Sequence, residues 1–170
     1  MKKFELTSEF VTFLGKKLFR IKALVSFGDV KEGELGGLVE KEENLDQSGN
    51  AWVYGNARIS GDARVSGDAQ VYGNARVSGD AQVSGNAWVS GDAWVQNCRD
   101  YSATSCFGSE NRTTTFFRTK DGGISVRCGC FYGTLNEFRE KVKERHGDSR
   151  LAKEYLMLAD LMEFRLSKDE

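Results

Sequence analysis

The chain has no proline and a single histidine, His146, among its 170 residues. With no ring to fix φ, its corners must come from glycine, of which there are nineteen, and from Asn or Asp. An excess of charge is also missing. Twenty-four basic residues stand against twenty-five acidic ones, a net charge of −1, so nothing calls for a nucleic-acid polymer or an anionic membrane as partner. No run of about eighteen apolar residues occurs, which excludes a membrane-spanning helix on length. The start, "MKKFELTSEF", carries two lysines but no apolar stretch behind them, so no signal peptide is expected. Cys98, Cys106, Cys128 and Cys130 then read as free thiols rather than a disulfide frame. These exclusions leave a soluble, cytoplasmic protein of one compact unit or two small ones.

What is present is a repeat. From Gly49 to Gln96 the chain divides into eight hexapeptides. One column is aliphatic throughout (Val53, Ile59, Val65, Val71, Val77, Val83, Val89, Val95), and the column two residues earlier is alanine from Ala51 to Ala93. Six fits neither the helical period nor a simple strand, but it fits a triangular coil with one hexapeptide per side. Residues two apart face the same way in extended backbone, so both columns point inward. The Gly-Asn and Gly-Asp pairs fall at the corners, where left-handed backbone is tolerated.

A second period of eighteen supports this: Trp52, Gln70 and Trp88 recur at that spacing, as do Tyr54 and Tyr72. The forty-eight residues make fewer than three coils, rising roughly 13 Å at about 4.8 Å per strand. Upstream, "LVEKEENLDQ" keeps the phase, with Asn44 and Leu45 in the Asn/Asp and alanine columns, so the coil is expected to begin near Leu38.

On the outside, one flat side carries Trp52, Gln70 and Trp88, a second Arg58, Arg76 and Trp94, and a third Arg64 and Gln82. Stacked tryptophans on a flat side form an apolar patch that needs covering, either by another subunit or as a ligand wall to which Trp94 and Arg76 contribute. The patch and the threefold cross-section together predict a homotrimer. Both ends of a repeat must also be covered. Residues 1–37 suit one end as a β cap, with "KFELT", "VTFLGKKLFRIKAL" and "VSFGDV" as short strands and a turn at Gly15. The repeat region is placed at 38–97, and 98–170 forms a C-terminal α+β domain over the other end.

In that domain, runs 113–120 and 124–131 read as strands joined by Asp121-Gly122-Gly123. Thr134 and Glu137 have capping-box spacing and open a helix whose apolar face is Leu135, Phe138 and Val142, ended by Gly147. A second helix is expected from about Arg150 to Leu166. Its stripe is Ala152, Tyr155, Ala159, Met162 and Leu166, widened by Leu151, Leu158 and Leu161, as core or subunit interface. Cys128 and Cys130 share a strand face but lack zinc spacing, and read as buried thiols with no metal. His146 sits at a helix end, where dipole interaction is its default role. The loop "GSENR", residues 108–112, either is a solvated hairpin or holds a phosphate through backbone amides, Ser109, Asn111 and Arg112.

The stretch "GDVKEGELGGLVEKEENLDQSGNAWVYGNARI" resembles a hexapeptide-repeat family common in bacteriophages and prophages, and "TTTFFRTKDGGISVRCGCFYGTLNEFREKVKERHGD" resembles a C-terminal domain that often follows such repeats. The resemblance implies a mainly β fold built on a left-handed parallel β-helix, usually trimeric. Hexapeptide acyltransferases share that helix and place a catalytic histidine on a coil loop. The coils here contain neither histidine nor inserted loop. The resemblance therefore implies a non-enzymatic phage protein that sequesters a small nucleotide immune signal in the host cytoplasm, with no cofactor. A structural or protein-binding module and a coenzyme A-dependent acyltransferase-like enzyme are the alternatives. The expected site is a cleft between neighbouring subunits where the coil ends, with Ser109, Asn111, Arg112 and Arg118 on the phosphates and Trp94 and Tyr132 stacking on bases.

Overall fold

A computed structural model describes residues 1–167. Strands β1 (Phe4–Phe13), β2 (Lys16–Ala23) and β3 (Leu35–Val39) precede eight two-residue strands: β4 (Trp52–Val53), β5 (Arg58–Ile59), β6 (Arg64–Val65), β7 (Gln70–Val71), β8 (Arg76–Val77), β9 (Gln82–Val83), β10 (Trp88–Val89) and β11 (Trp94–Val95). The short strands wind as a β-solenoid of about three turns, pairing in parallel with partners one coil away. Every member of the aliphatic column is fully buried, and the alanine column is buried with it. Corner glycines carry the left-handed backbone. At Gly79 (φ +62) an added Cβ would also lie 2.3 Å from the Gln96 carbonyl oxygen one coil on.

The first coil departs from the expected phase. Val39 pairs with Ile59 and Leu45 bridges to Val65, a separation of twenty residues where later coils take eighteen. Two extra residues lie between Leu45 and Val53. Leu45 therefore stands in the aliphatic column and not the alanine one, and Asn44 is buried rather than at a corner. Its burial has a purpose. In later coils the carbonyls of Gly79 and Ala81 accept N–H groups from the preceding coil, at Asp62 and Arg64. The equivalent carbonyls of Gly61 and Ala63 accept instead from Asn44 Nδ2, at 3.0 and 2.8 Å. Lys3 does the same at another corner. Its Nζ donates to the carbonyls of Ser48, Gly49 and Ala51 at 3.2, 3.4 and 3.0 Å, two of which match positions that receive backbone amides one coil later. Side chains thus supply the donors that a missing coil cannot.

At the N-terminus, β1 and β2 form one long hairpin turning at Leu14 and Gly15, and β2 adds antiparallel to β3. The expected strand in "VSFGDV" is only a Phe27–Val30 bridge. The expected exposed patch does not include Trp52. Trp52 is fully buried, with Phe4 and Phe27 edge-on to its ring at 6.2 and 5.4 Å. Covering Trp52 needs no second subunit.

After the coil come β12 (Tyr101–Phe107), β13 (Arg112–Arg118), β14 (Ile124–Cys128) and β15 (Phe131–Thr134), one antiparallel sheet in that order, then α1 (Leu135–His146) and α2 (Arg150–Leu166). Strand β13 is buried on both faces. Phe117 joins the coil's core, while Phe116 packs with Phe138, Val142, Tyr155 and Met162 beneath the helices. The Thr134–Glu137 capping box forms as expected. The stripe is buried except at its edge: Leu161 is exposed, alongside Met157 and Phe164. Cys128 ends β14, whereas Cys130 lies exposed in the following turn, so the two share no strand face and Cys130 is not a buried thiol. No helix among the described residues is long and apolar enough to cross a membrane.

Candidate functional site

Chemistry-bearing side chains converge where the C-terminal sheet meets the coil. The register of the sheet explains how. Thr115 faces the coil, its Oγ1 accepting from the Trp88 N–H at 3.0 Å, and Arg127 is its cross-strand partner on β14. Directly opposed residues of an antiparallel pair share a face, so Arg127 also points at the coil, where its guanidinium lies 5.2 Å over the Trp88 ring. Tyr72 meets the same indole edge-on at 6.2 Å, and burial raises its hydroxyl pKa against the opposing pull of Arg127. A hollow of about 690 Å3 opens beside them, lined by Gln70, Asn86, Trp88, Arg112 and Arg127 and by Asp68, whose carboxylate accepts from Asn50 Nδ2 at 2.8 Å.

Arg112 also borders a second hollow of about 240 Å3, floored by Phe131, Phe138 and Tyr155. Lys141, Arg145 and His146 stand on its rim because α1 brings them there one turn apart. His146 stacks on Tyr155, centroids 5.6 Å apart. The loop of residues 108–111 is held over the same ring by the Ser109 N–H, which donates to Tyr155 Oη at 3.1 Å. Among the described residues the one carboxylate within ion-pair distance of Arg112 is Glu110, at 3.8 Å with both side chains well exposed, so its charge remains available. The combination suits an anion with a flat apolar part: guanidiniums for oxygens, aromatic faces for rings.

Of the expected residues, the structure brings Ser109 and Arg112 together and leaves Asn111 exposed in the turn between them. The others are elsewhere within the chain. Arg118 is engaged: it pairs with Asp100 at 3.2 Å and donates to the carbonyls of Leu166 and Ser167 at 2.7 and 2.8 Å. Trp94 stands on another side of the coil, in register with Arg76. Tyr132 lies against Gly91, in a separate depression beside the β13–β14 turn. The sequence reading missed Arg127, Lys141 and Arg145. Arg127 was within reach, since the Asp121-Gly122-Gly123 turn sets the register that places it opposite Thr115.

Residues 57–71, 69–82 and 81–97 match a family model described as the YdcK β-solenoid repeat. With the coil geometry above, this identifies a β-solenoid repeat protein. The similarity to the YdcK repeat is confined to the coil and stops at the junction where the cleft opens. No curated protein is similar enough to the chain to count as a match.

Proposed function

We propose that the protein is a non-enzymatic binder that captures a small anionic nucleotide in the junction cleft. The observation that carries this reading is the position of Arg112 between the Trp88–Arg127 hollow and the aromatic pocket under His146. A phosphate at Arg112 would leave a base free to lie against either aromatic wall. The resemblance to phage repeat proteins supplies the setting, in which the ligand is a nucleotide signal of host immunity and capture amounts to sequestration. The only histidine lies on α1 and stacks on Tyr155, so no coil histidine supports an acyltransferase. The same resemblance supports a left-handed coil of hexapeptides, with the N-terminal hairpin as its cap and a homotrimeric assembly. The exposed Met157, Leu161 and Phe164 on α2 favour a second reading, a module whose task is to bind protein.

A thermal-shift screen with cyclic dinucleotides, cyclic ADP-ribose isomers and coenzyme A tests the proposal, because a ligand bound only by the native state raises its melting temperature. Arg112→Ala should weaken binding of the best nucleotide by about 1.5–3 kcal/mol, the range for charge-assisted hydrogen bonds, and leave melting of the free protein unchanged. Unaltered affinity in that variant would place the site elsewhere. A parent chain that binds no nucleotide would hand the case to the protein-binding reading.

A further inference from the structure

The side of the coil that carries Arg58, Arg76 and Trp94 presents a different problem. Parallel pairing puts these three residues in one column, so the two arginines sit on adjacent strands about 4.8 Å apart. Like charges held that close repel, and most cations near them are neutralised. Lys16 reaches Glu40 at 2.9 Å, Arg20 reaches Glu9 at 3.2 Å, and Lys41 reaches Asp62 at 2.9 Å. Among the described residues, neither Arg58 nor Arg76 has a carboxylate within salt-bridge distance. Their shared neighbour is the Phe13 ring, 4.6 Å from each guanidinium carbon. A ring face attracts a cation but accepts no conventional hydrogen bond, and Arg58 Nε is buried with no acceptor.

The Phe13 ring holds both guanidiniums, and among the described residues no carboxylate pairs with either. Beside it lies a hollow of about 180 Å3, bordered by Asn56, Asn74, Trp94, Asp92 and Lys120 as well as the two arginines. The β13–β14 turn is tied to the coil there, with the Lys120 N–H donating to the Asp92 carbonyl at 3.0 Å, so Lys120 is brought to the rim by the fold itself. Two guanidiniums, one ammonium and two carboxamides around a small hollow outnumber its single carboxylate. Donors in that ratio match a compact dianion whose oxygens point several ways. Trp94, 37 % exposed at the top of the column, adds a flat apolar surface at the mouth.

We propose that this column is a second anion site, independent of the junction cleft, which takes the phosphate group of a small phosphate monoester. The guanidiniums bind the phosphoryl oxygens, Lys120 closes over them, and Trp94 lies against the ester's organic part. Free phosphate would satisfy the same donors without using Trp94, which separates the two sources of that group.

The test is calorimetric titration of the full chain with phenyl phosphate and with inorganic phosphate at constant ionic strength. In an Arg112→Ala background, which removes the cleft's phosphate ligand, one saturable site per chain is expected. Phenyl phosphate should bind about tenfold more tightly than free phosphate, and Trp94→Leu should remove that preference while leaving phosphate binding intact. At this site Arg76→Gln should lower affinity for both at least tenfold, whereas Arg112→Ala acts on the cleft and should leave the column's affinity unchanged. Failure of nucleotide binding at the cleft would thus leave this result standing. If Arg76→Gln does not fold, Arg76→Lys keeps the charge without the planar fork and should still lose several-fold affinity. Binding that is non-saturable, or equal in the parent and the Arg76 variants, overturns the proposal and makes the column a structural cation–π stack alone. Equal affinity for the two ligands in the parent restricts the site to free phosphate and overturns the monoester assignment.

Discussion

The coil and the C-terminal domain solve burial in different ways. In the coil, inward positions recur every six residues and are filled by Val, Ile and Ala, so each coil lies flush on the next and its outer sides are flat. In the C-terminal domain the core is aromatic, with Phe116, Phe138 and Tyr155 meeting edge-to-face at 5.9 and 5.8 Å. Large rings set at right angles do not tile, and the aromatic-floored hollow lies at the margin of that cluster. Flat sides can offer a ligand only columns of identical spacing, whereas the irregular domain offers depth. The cleft forms where the two meet because each supplies what the other lacks.

That contrast can be broken most severely inside the coil. Val71 is fully buried between Val53 and Val89 of the adjacent coils. Val71→Asp would put a carboxylate there with no partner, at a cost on the order of 4 kcal/mol or more. The expected outcome is cooperative loss of the β signal in circular dichroism together with a collapsed melting temperature. If the columns are equivalent, Val77→Asp should behave alike. Unchanged melting in both would mean that the inward column is misassigned.

The next largest effect falls on the joint. Asp100, with its side chain 5 % exposed, accepts the Gln96 and Asn97 N–H groups at 2.8 and 3.1 Å through one oxygen and pairs with Arg118 through the other. The same arginine fixes the end of α2. Arg118→Ala therefore leaves a nearly buried carboxylate without its cation and frees a helix end. It should destabilise by about 2–3 kcal/mol, less than for a fully buried pair because the guanidinium is partly hydrated. Chemical denaturation followed by tryptophan fluorescence would measure it, and a loss below about 0.5 kcal/mol would show that the joint is held by its other contacts and not by the Arg118–Asp100 pair. Arg118 is better placed to join the regions than to hold a ligand.

The coil was the most legible part of the sequence, since every column repeats and one misassigned residue would be outvoted by seven others. Its first turn was not. A leucine in "ENLDQ" fits either the aliphatic or the alanine column, and nothing in composition marks two extra residues. In the C-terminal domain, caps and an apolar face announced the first helix, an apolar stripe announced the second, and Asp121-Gly122-Gly123 announced the central hairpin. Strand β12 (Tyr101–Phe107) was missed because "YSATSCF" is short of β-branched and large apolar residues. Ser109 and Arg112 lie together because they share a loop. Trp94 and Tyr132 were grouped with them by closeness in sequence, which says little about which side of a coil a residue occupies.

The smallest expected effect concerns the start of the coil, where a side chain stands in for a neighbouring coil. Lys3 is 4 % exposed, and its ammonium donates to three carbonyls and lies 4.9 Å over the Phe27 ring. Burial lowers its pKa from 10.5 to about 8, against the opposing pull of Asp46 and Asp68. Between those two values the native chain has released the proton while the unfolded chain still holds it. The unfolded state binds more protons there, so this group makes stability rise with pH across that window and adds no slope below pH 8. Tyr54 acts in the opposite sense. Burial raises its pKa from 10.0 to about 12, so its contribution is lost as pH climbs above 10. Comparing the parent with Lys3→Met cancels the tyrosine, because both chains carry it. Melting temperatures measured from pH 7 to pH 10.5 should show a constant gap up to about pH 8 and then a gap widening in the parent's favour by at least about 2–4 °C, the effect of roughly 1 kcal/mol in a chain of this length. A gap that stays constant to pH 10.5 would mean that water reaches the ammonium, and that the first coil's carbonyls are satisfied by solvent rather than by Lys3.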